Sequence, residues 1–414
     1  MRHKIYNWWL GMARVFRREF RIVRKDGGAL LFFIALPLLY PVTYTLIYNP
    51  EIVTKCPVAV VDNCRTAASR QFVQEISAAP AIDIYGYATD LNEAKDWMGS
   101  NKVAAIFEIP RDYDKKIGQG EQATVPMYFD MQLLLKYRAL YSAVTEYQMH
   151  LTQKITLKKI ESMGASSLSS AATPMKSEAN FLGDPEQGFA SFVIPGILVL
   201  ILQQSLVLGV CLLGASSRER RRVNGGYDPL MVSGVSSTQL IFGKALCYLA
   251  IYVPMTFYVL HFIPEIFELP HYGDIWTYLA FIFPMMLASV MFGMVLNLFV
   301  TERESSFVVI VFTSVLFLFL SGLTWPRYAI TGIWSWLGDL VPATWGVQGF
   351  IRINSNNASL TEVGYDYMWL WILAAVYFLL AWAVTYWLTQ KEKIPGYRPV
   401  KFKNSDTIDF TPPM

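Results

Sequence analysis

At 414 residues, 54% hydrophobic and only 16% charged, the chain is more apolar and less charged than soluble domains, which run at about 45–50% apolar and about 25% charged. Its mean hydropathy of +0.33 points to a polytopic membrane protein. A net charge of +3 is too small for a nucleic-acid binder, so no nucleic-acid partner is expected.

Residues 1–28 are rich in Arg and Lys. Within them Trp9, Met12, Phe16, Phe20 and Val23 recur every three or four residues, which places them on one helical face. Arg14, Arg17, Arg18, Arg21, Arg24 and Lys25 fill much of the rest. This pattern predicts an amphipathic helix lying in the headgroup plane, with the bilayer as its partner. A basic topology signal without a further role is the plainer alternative. Asp26-Gly27-Gly28 then ends the helix and turns the chain into the bilayer.

Six segments have the roughly 20 apolar residues that a bilayer span needs: 29–48, 188–214, 239–263, 275–300, 306–323 and 368–389. The first reads as a retained signal anchor, because its basic leader is long and residues 48–52 offer no A-x-A cleavage site. Basic residues near spans stay cytoplasmic. They concentrate in 1–28, in the loop 215–238 and in the tail 390–414, while 264–274 has none and 324–367 has only Arg327 and Arg352. Both termini and the 215–238 loop are therefore expected in the cytoplasm. Residues 49–187 are then external, with 14 basic and 17 acidic residues, as a long translocated domain allows.

That external stretch alternates. Strands are predicted at 57–61, 82–87, 103–107 and 125–129, the last at an edge because of Pro126. Helices are predicted at 67–76, 91–98 after an Asp90 cap, 112–117 and about 133–163. The order argues for an α/β layer with a largely parallel sheet. Residues 164–186, rich in Ser, Ala, Gly and Pro, read as a return linker. Cys56 and Cys64 flank the first strand and could form a disulfide outside the cytoplasm, but only if the chain doubles back at Asp62-Asn63, because an extended strand holds them too far apart. Cys211 and Cys247 fall in spans and read as packing residues.

Catalytic signals are sparse. Gly243-Lys244 suggests a phosphate loop, but Thr238 stands where a glycine is required and Ala245 where Ser or Thr is required. His3, His150, His261 and His271 have no metal-ligand spacing, and no G-x-S-x-G elbow occurs. Polar residues inside the spans are few. Gln203, Gln204 and Asn297 could line a substrate path; interhelical hydrogen bonding is the plainer reading.

The second span runs into Ser216-Ser-Arg-Glu-Arg-Arg-Arg-Val-Asn-Gly-Gly-Tyr-Asp-Pro-Leu230. Topology anchoring explains the arginines. It does not explain the turn and the short apolar helix expected at about 224–234, which suit docking to a soluble partner. Arg218-Glu219-Arg220, Gly226, Leu230-Met231, Ser236 and Gly243-Lys244 follow in the order found in type-2 ABC exporter permeases, specifically the branch with a large external domain after the first span. Tyr227 and Ser233-Gly234 depart from that pattern. Val58 to Asn63 with Ser69-Arg70, Ala104 to Pro110 with Gly118 to Glu121, and Ser321 to Pro326 with Trp336 and Val341 to Thr344 resemble the same branch, the last group as a re-entrant loop between spans five and six. The resemblance covers nearly the whole chain.

It implies a six-helix permease subunit with an α/β extracytoplasmic domain inserted after the first span. It further implies a second permease subunit, identical or related, and a separate ATP-binding subunit seated on Arg218, Glu219, Arg220, Gly226, Leu230 and Met231. No cofactor is expected on this chain itself; ATP and Mg would sit on the partner. A periplasmic adaptor and an outer-membrane channel are further expectations of the resemblance. The reading from another class is a membrane-anchored sensor or scaffold whose external domain binds a ligand.

Overall fold

The computed structural model describes residues 2–48, 53–119, 121–132, 134–162, 188–224, 228, 234–300 and 302–391. Their contacts divide the chain into two units, Met1–Asn49 with Leu182–Met414, and Pro50–Phe181.

The first unit is helical. Helix α1 (Arg2–Lys25) leads into α2 (Gly27–Tyr48). The Asp26 carboxylate caps α2 by accepting the Ala29 N–H at 3.0 Å. The other long helices are α7 (Phe189–Val223), α8 (Ser237–Ile266), α9 (Ile275–Leu296), α10 (Arg303–Leu320) and α13 (Gly364–Lys391). Among the described residues, six helices (α2, α7, α8, α9, α10 and α13) are long and apolar enough to cross a membrane. Between α10 and α13 lie α11 (Ile333–Asp339) and α12 (Pro342–Asn356). Within the expected re-entrant loop, α12 buries Ala343, Val347, Phe350 and Ile353 and packs on α7, α9 and α13.

Helix α7 is the axis of the bundle. Its residues from Ile194 to Ser216 are almost all buried, against α2, α9, α10 and α12. At 35 residues and 1.5 Å per residue it is roughly 50 Å long, while the hydrocarbon core is about 30 Å thick. Its final turns therefore extend past the apolar layer. The chain was expected to leave the helix after residue 214, yet the helix continues to Val223. Loss of hydropathy is not loss of helix: arginine and glutamate are good helix formers, so the 218–222 run prolongs the rod. The short helix expected at about 224–234, with Gly226, Leu230 and Met231, falls outside the described residues, except for Asn224, Asp228 and Gly234.

The second unit is an α/β layer. Strands β1 (Cys56–Asp62), β2 (Ile82–Tyr87), β3 (Ala105–Ile109) and β4 (Met127–Phe129) form a four-stranded sheet in the order β2-β1-β3-β4. The first three are parallel, with Val58 opposite Ala105 and Val60 opposite Phe107; β4 is antiparallel at the edge. Helices α3 (Ala67–Ile76), α5 (Tyr113–Gln119) and α6 (Leu134–Ser162) cover one face. There Val58, Val60 and Phe107 pack with Phe72, Ile76, Tyr113 and Leu140. Helix α4 (Leu91–Gly99) covers the other through Ala94 against Ala59, Val61 and Ile106. Both faces of β1 are thus buried, which is why it reads as a continuous apolar run.

Asp62 closes β1. Its carboxylate accepts the N–H groups of Cys64 and Arg65 at 3.0 and 2.8 Å and the Ser69 hydroxyl at 2.7 Å. The Val58-to-Asn63 and Ser69 motif is therefore a strand-to-helix lock. Cys56 and Cys64 are free thiols, so the disulfide is not formed. The reason is the strand itself: six residue steps from Cys56 to Asp62 span about 20 Å, and the turn after Asp62 leads on to α3 rather than back. Burial pushes the Cys56 thiol pKa up, which keeps it protonated and inert.

Candidate functional site

The site lies where α7 ends, and it begins with the way α1 lies on α8. Met12, Val15, Glu19 and Val23 of α1 are buried. Gly243 allows the close approach: a Cβ there would come within 2.7 Å of the Val15 Cβ and 3.0 Å of the Met12 carbonyl. Gln239 of α8 closes its own capping box with Ser236 and donates to the Trp8 carbonyl at 2.9 Å. Gly243-Lys244 is thus a helix-contact motif. Gly243→Leu is expected to destabilise the protein by about 1–3 kcal/mol through overpacking, read as a lower thermal midpoint in detergent, with Gly243→Ala in between.

The expected apolar face of α1 is divided between two sectors. Met12 and Val23 are buried, whereas Trp9 and Phe20 are exposed, and Phe16 is half-buried with its ring stacked on Phe20 at 6.3 Å. Arg14, Arg17, Arg21 and Arg24, all exposed, form a third sector. The packed face is rotated from the expected one because Glu19, a carboxylate on the apolar side, is turned inward.

Glu19 is 2% exposed. It accepts the Tyr248 hydroxyl at 2.5 Å and lies 3.5 Å from the Lys244 ammonium and 3.4 Å from the Arg18 guanidinium. Burial alone would raise its pKa; the Lys244 and Arg18 charges and the Tyr248 hydrogen bond outweigh it and hold the carboxyl below the usual value. Arg18 also reaches Asp228 at 3.5 Å. Asp228, 1% exposed, takes hydrogen bonds from Arg220 at 2.9 and 3.3 Å and from Ser217 at 2.5 Å. An unbroken line of charge thus runs from α8 through α1 and Asp228 to the end of α7.

The neighbouring residues of the arginine run hold the other side. Arg218 donates to the Val300 carbonyl at 2.7 Å, and Glu219 accepts the Arg303 N–H at the start of α10 at 3.4 Å. The Arg303 side chain forks onto the Asp26 carboxylate, 2.8 Å through one nitrogen. Asp26 therefore caps α2 and ties it to α10 at once. Arg222 meets Glu302 at 3.4 Å, but both are well exposed, so that pair contributes little. Five helices, α1, α2, α7, α8 and α10, are locked together at one end of the bundle.

The residues expected to line a path are not gathered in one place. Gln203 and Gln204 sit midway along α7, and among the described residues none of their amide atoms has a hydrogen-bond partner. Asn297 caps the end of α9 and presses on Gly214, ten or eleven residues further along α7, or about 15 Å. The histidines far apart in sequence partly meet: the rings of His261 and His271 are 5.8 Å apart, and His271 bonds Asn354 at 2.5 Å. Among the described residues no group of three metal-binding side chains forms.

Among the described residues, six apolar helices long enough to span a bilayer, one of them the buried central α7, define a polytopic membrane protein. The family described as ABC-2 family transporter protein matches residues 28–383, and the chain belongs to that family. It is 22% identical over 383 residues to the probable multidrug ABC transporter permease YbhR of Escherichia coli K12, covering 87% of this chain and 95% of that protein. It is 25% identical over 252 residues to ABC transporter G family member 20 of Dictyostelium discoideum, covering 59% of this chain and 32% of that one. These relatives mark it as a transport permease.

Proposed function

We propose that this chain is the membrane subunit of an ATP-driven exporter in the cell inner (plasma) membrane, with both termini cytoplasmic and the α/β unit outside. It carries no ATPase motif of its own. A separate ATP-binding subunit, holding ATP and Mg, seats on the end of α7 and the loop after it, and a second permease subunit completes the pore. A periplasmic adaptor and an outer-membrane channel would extend the path. The substrate is hydrophobic, drug-like or lipid-like, in keeping with the multidrug description of the Escherichia coli relative. The amides of Gln203 and Gln204, buried mid-bundle with unused hydrogen-bonding capacity, are the groups offered to polar parts of that substrate.

One observation carries the reading: the charge lattice joins α7 to α1, α2, α8 and α10. A push on the loop bearing Asp228 moves five helices together instead of bending one. Nucleotide can drive such motion only if the partner binds the two pore conformations with different affinity.

Replacing Leu230 and Met231 by Asp is expected to abolish co-purification of the ATP-binding subunit and to stop export, while the thermal midpoint of the permease stays within a few degrees of wild type. Intact complex formation and transport in that variant would exclude the loop as the docking site. A lone receptor, by contrast, should co-purify with no ATP-binding protein at all.

A further inference from the structure

At the end of α8 remote from the charge lattice, two histidines meet. His261 lies 17 residues beyond Lys244 in α8, about 26 Å along the axis. The helix widens there into a π-helical stretch, Tyr258–Phe262, a distortion frequent at functional sites. His271 comes from the loop between α8 and α9, and its ring centre is 5.8 Å from that of His261. Tyr278 of α9 packs beside both, its ring 5.5 Å from His271 and 6.5 Å from His261.

Each imidazole has one nitrogen turned to an oxygen and the other unused. Asn354 of α12 donates its side-chain N–H to the Pro270 carbonyl at 3.1 Å, so its amide oxygen is what meets His271 Nδ1 at 2.5 Å. Nδ1 therefore carries the proton, and Nε2 keeps a lone pair. His261 Nε2 lies 3.8 Å from the Glu265 carboxylate, while its Nδ1 is buried and has no hydrogen-bond partner among the described residues. The hydroxyl of Tyr278, a fully buried side chain, has none either.

We propose that His261 and His271 bind a divalent transition-metal ion, zinc or copper. A ring that gives one N–H to an amide or carboxylate oxygen and keeps the other nitrogen bare is held as metal-ligating histidines are held. A metal about 2.0–2.1 Å from one nitrogen of each ring sets the ring centres roughly 5–6 Å apart. The surroundings suit a cation: residues 264–274 contain Glu265, Glu268 and Asp274 but no Lys or Arg, and Arg352, two residues from Asn354, is paired with Asp366. Imidazole favours zinc and copper over magnesium and calcium. Two imidazoles are fewer than the protein ligands of a structural or catalytic zinc site; the Tyr278 hydroxyl and water are left to complete the shell, which makes the site open and the ion exchangeable. Bound there, the ion ties α8 to the loop entering α9 and, through Asn354, to α12, at the opposite end of α8 from the lattice.

The test uses the purified full-length permease with any affinity tag removed, stripped with EDTA and titrated with zinc by calorimetry; copper is followed by electron paramagnetic resonance. One zinc ion per chain is expected, with a raised thermal midpoint and no response to magnesium or calcium. The copper spectrum should show coupling to two imidazole nitrogens. His261→Gln and His271→Gln should each weaken zinc binding at least tenfold, and Glu265→Gln, at an exposed position, roughly tenfold by freeing the His261 ring. In EDTA the midpoint of His261→Gln should match wild type, whereas that of His271→Gln should fall because the loop loses its hold on Asn354; zinc should then raise neither. If His271→Gln does not fold, His261→Gln and Glu265→Gln decide. Wild-type zinc affinity in His261→Gln, or a copper spectrum without imidazole nitrogens, would overturn the proposal. No readout requires transport or a partner subunit, so the ion site and the exporter reading stand or fall separately.

Discussion

Asp228→Ala is expected to break the coupling between the end of α7 and the rest of the bundle. The Asp228 carboxylate is 1% exposed and faces Arg220, Arg18 and the Ser217 hydroxyl. Removing it leaves two guanidinium groups facing each other across a buried gap. Deleting one partner of a buried ion pair costs about 3–5 kcal/mol, because the other charge is left uncompensated. The thermal midpoint should fall clearly. The larger effect is functional: ATP hydrolysis by the assembled complex should continue while export stops, because the loop no longer grips α7. Asp228→Glu should restore part of both. A variant with an unchanged midpoint and full export would show that the carboxylate is solvated and that the loop transmits force by another route.

Much of the scaffold was readable because its signals are local. Hydropathy alone marks six spans, and each one corresponds to a long helix in the structure. Strand alternation between Pro57 and Phe129 marks four strands, with Pro126 correctly pointing to an edge. The Asp90 cap is in place, its carboxylate accepting the Glu93 N–H at 2.8 Å. Each of these depends on neighbours within a few residues in the chain.

The lattice was not readable, because its partners are far apart in sequence. Glu19 meets Tyr248, Arg18 meets Asp228, and Asp26 meets Arg303, across separations of 229, 210 and 277 residues. Only one signal was available. Glu19 is the sole carboxylate within 1–25, and it falls on the same helical side as Met12, Val15 and Val23. An acid on an apolar stripe needs a buried cation, and Lys244 beside Gly243 is that cation. In the sequence the arginine run reads as a topology anchor and, by resemblance, as part of the seat of an ATP-binding subunit; neither reading specifies contacts within the chain. In the structure its members diverge around the helix, Arg218 to Val300, Arg220 to Asp228 and Arg222 to Glu302, so that one stretch of α7 addresses three different neighbours.

Glu19→Gln is the second severe variant. The amide keeps a partner for the Tyr248 hydroxyl but cannot neutralise Lys244 or Arg18, and a loss of about 3 kcal/mol is expected. The pH dependence gives a separate check. The folded-state pKa of Glu19 lies below its ordinary value, so its stabilisation is fully present above the unfolded pKa of about 4.3. That contribution is lost as pH falls through the lower folded value. Wild type should therefore lose stability on acidification more steeply than Glu19→Gln, and the gap between the two melting curves should close toward low pH. Adding Lys244→Met to Glu19→Gln removes the stranded ammonium and should recover part of the loss, so the two changes will not be additive. A gap that stays constant with pH would mean that the deficit comes from packing of the amide and not from the carboxylate charge, and the tie between α1 and α8 would then rest on the close approach at Gly243 and the Gln239 hydrogen bond to Trp8.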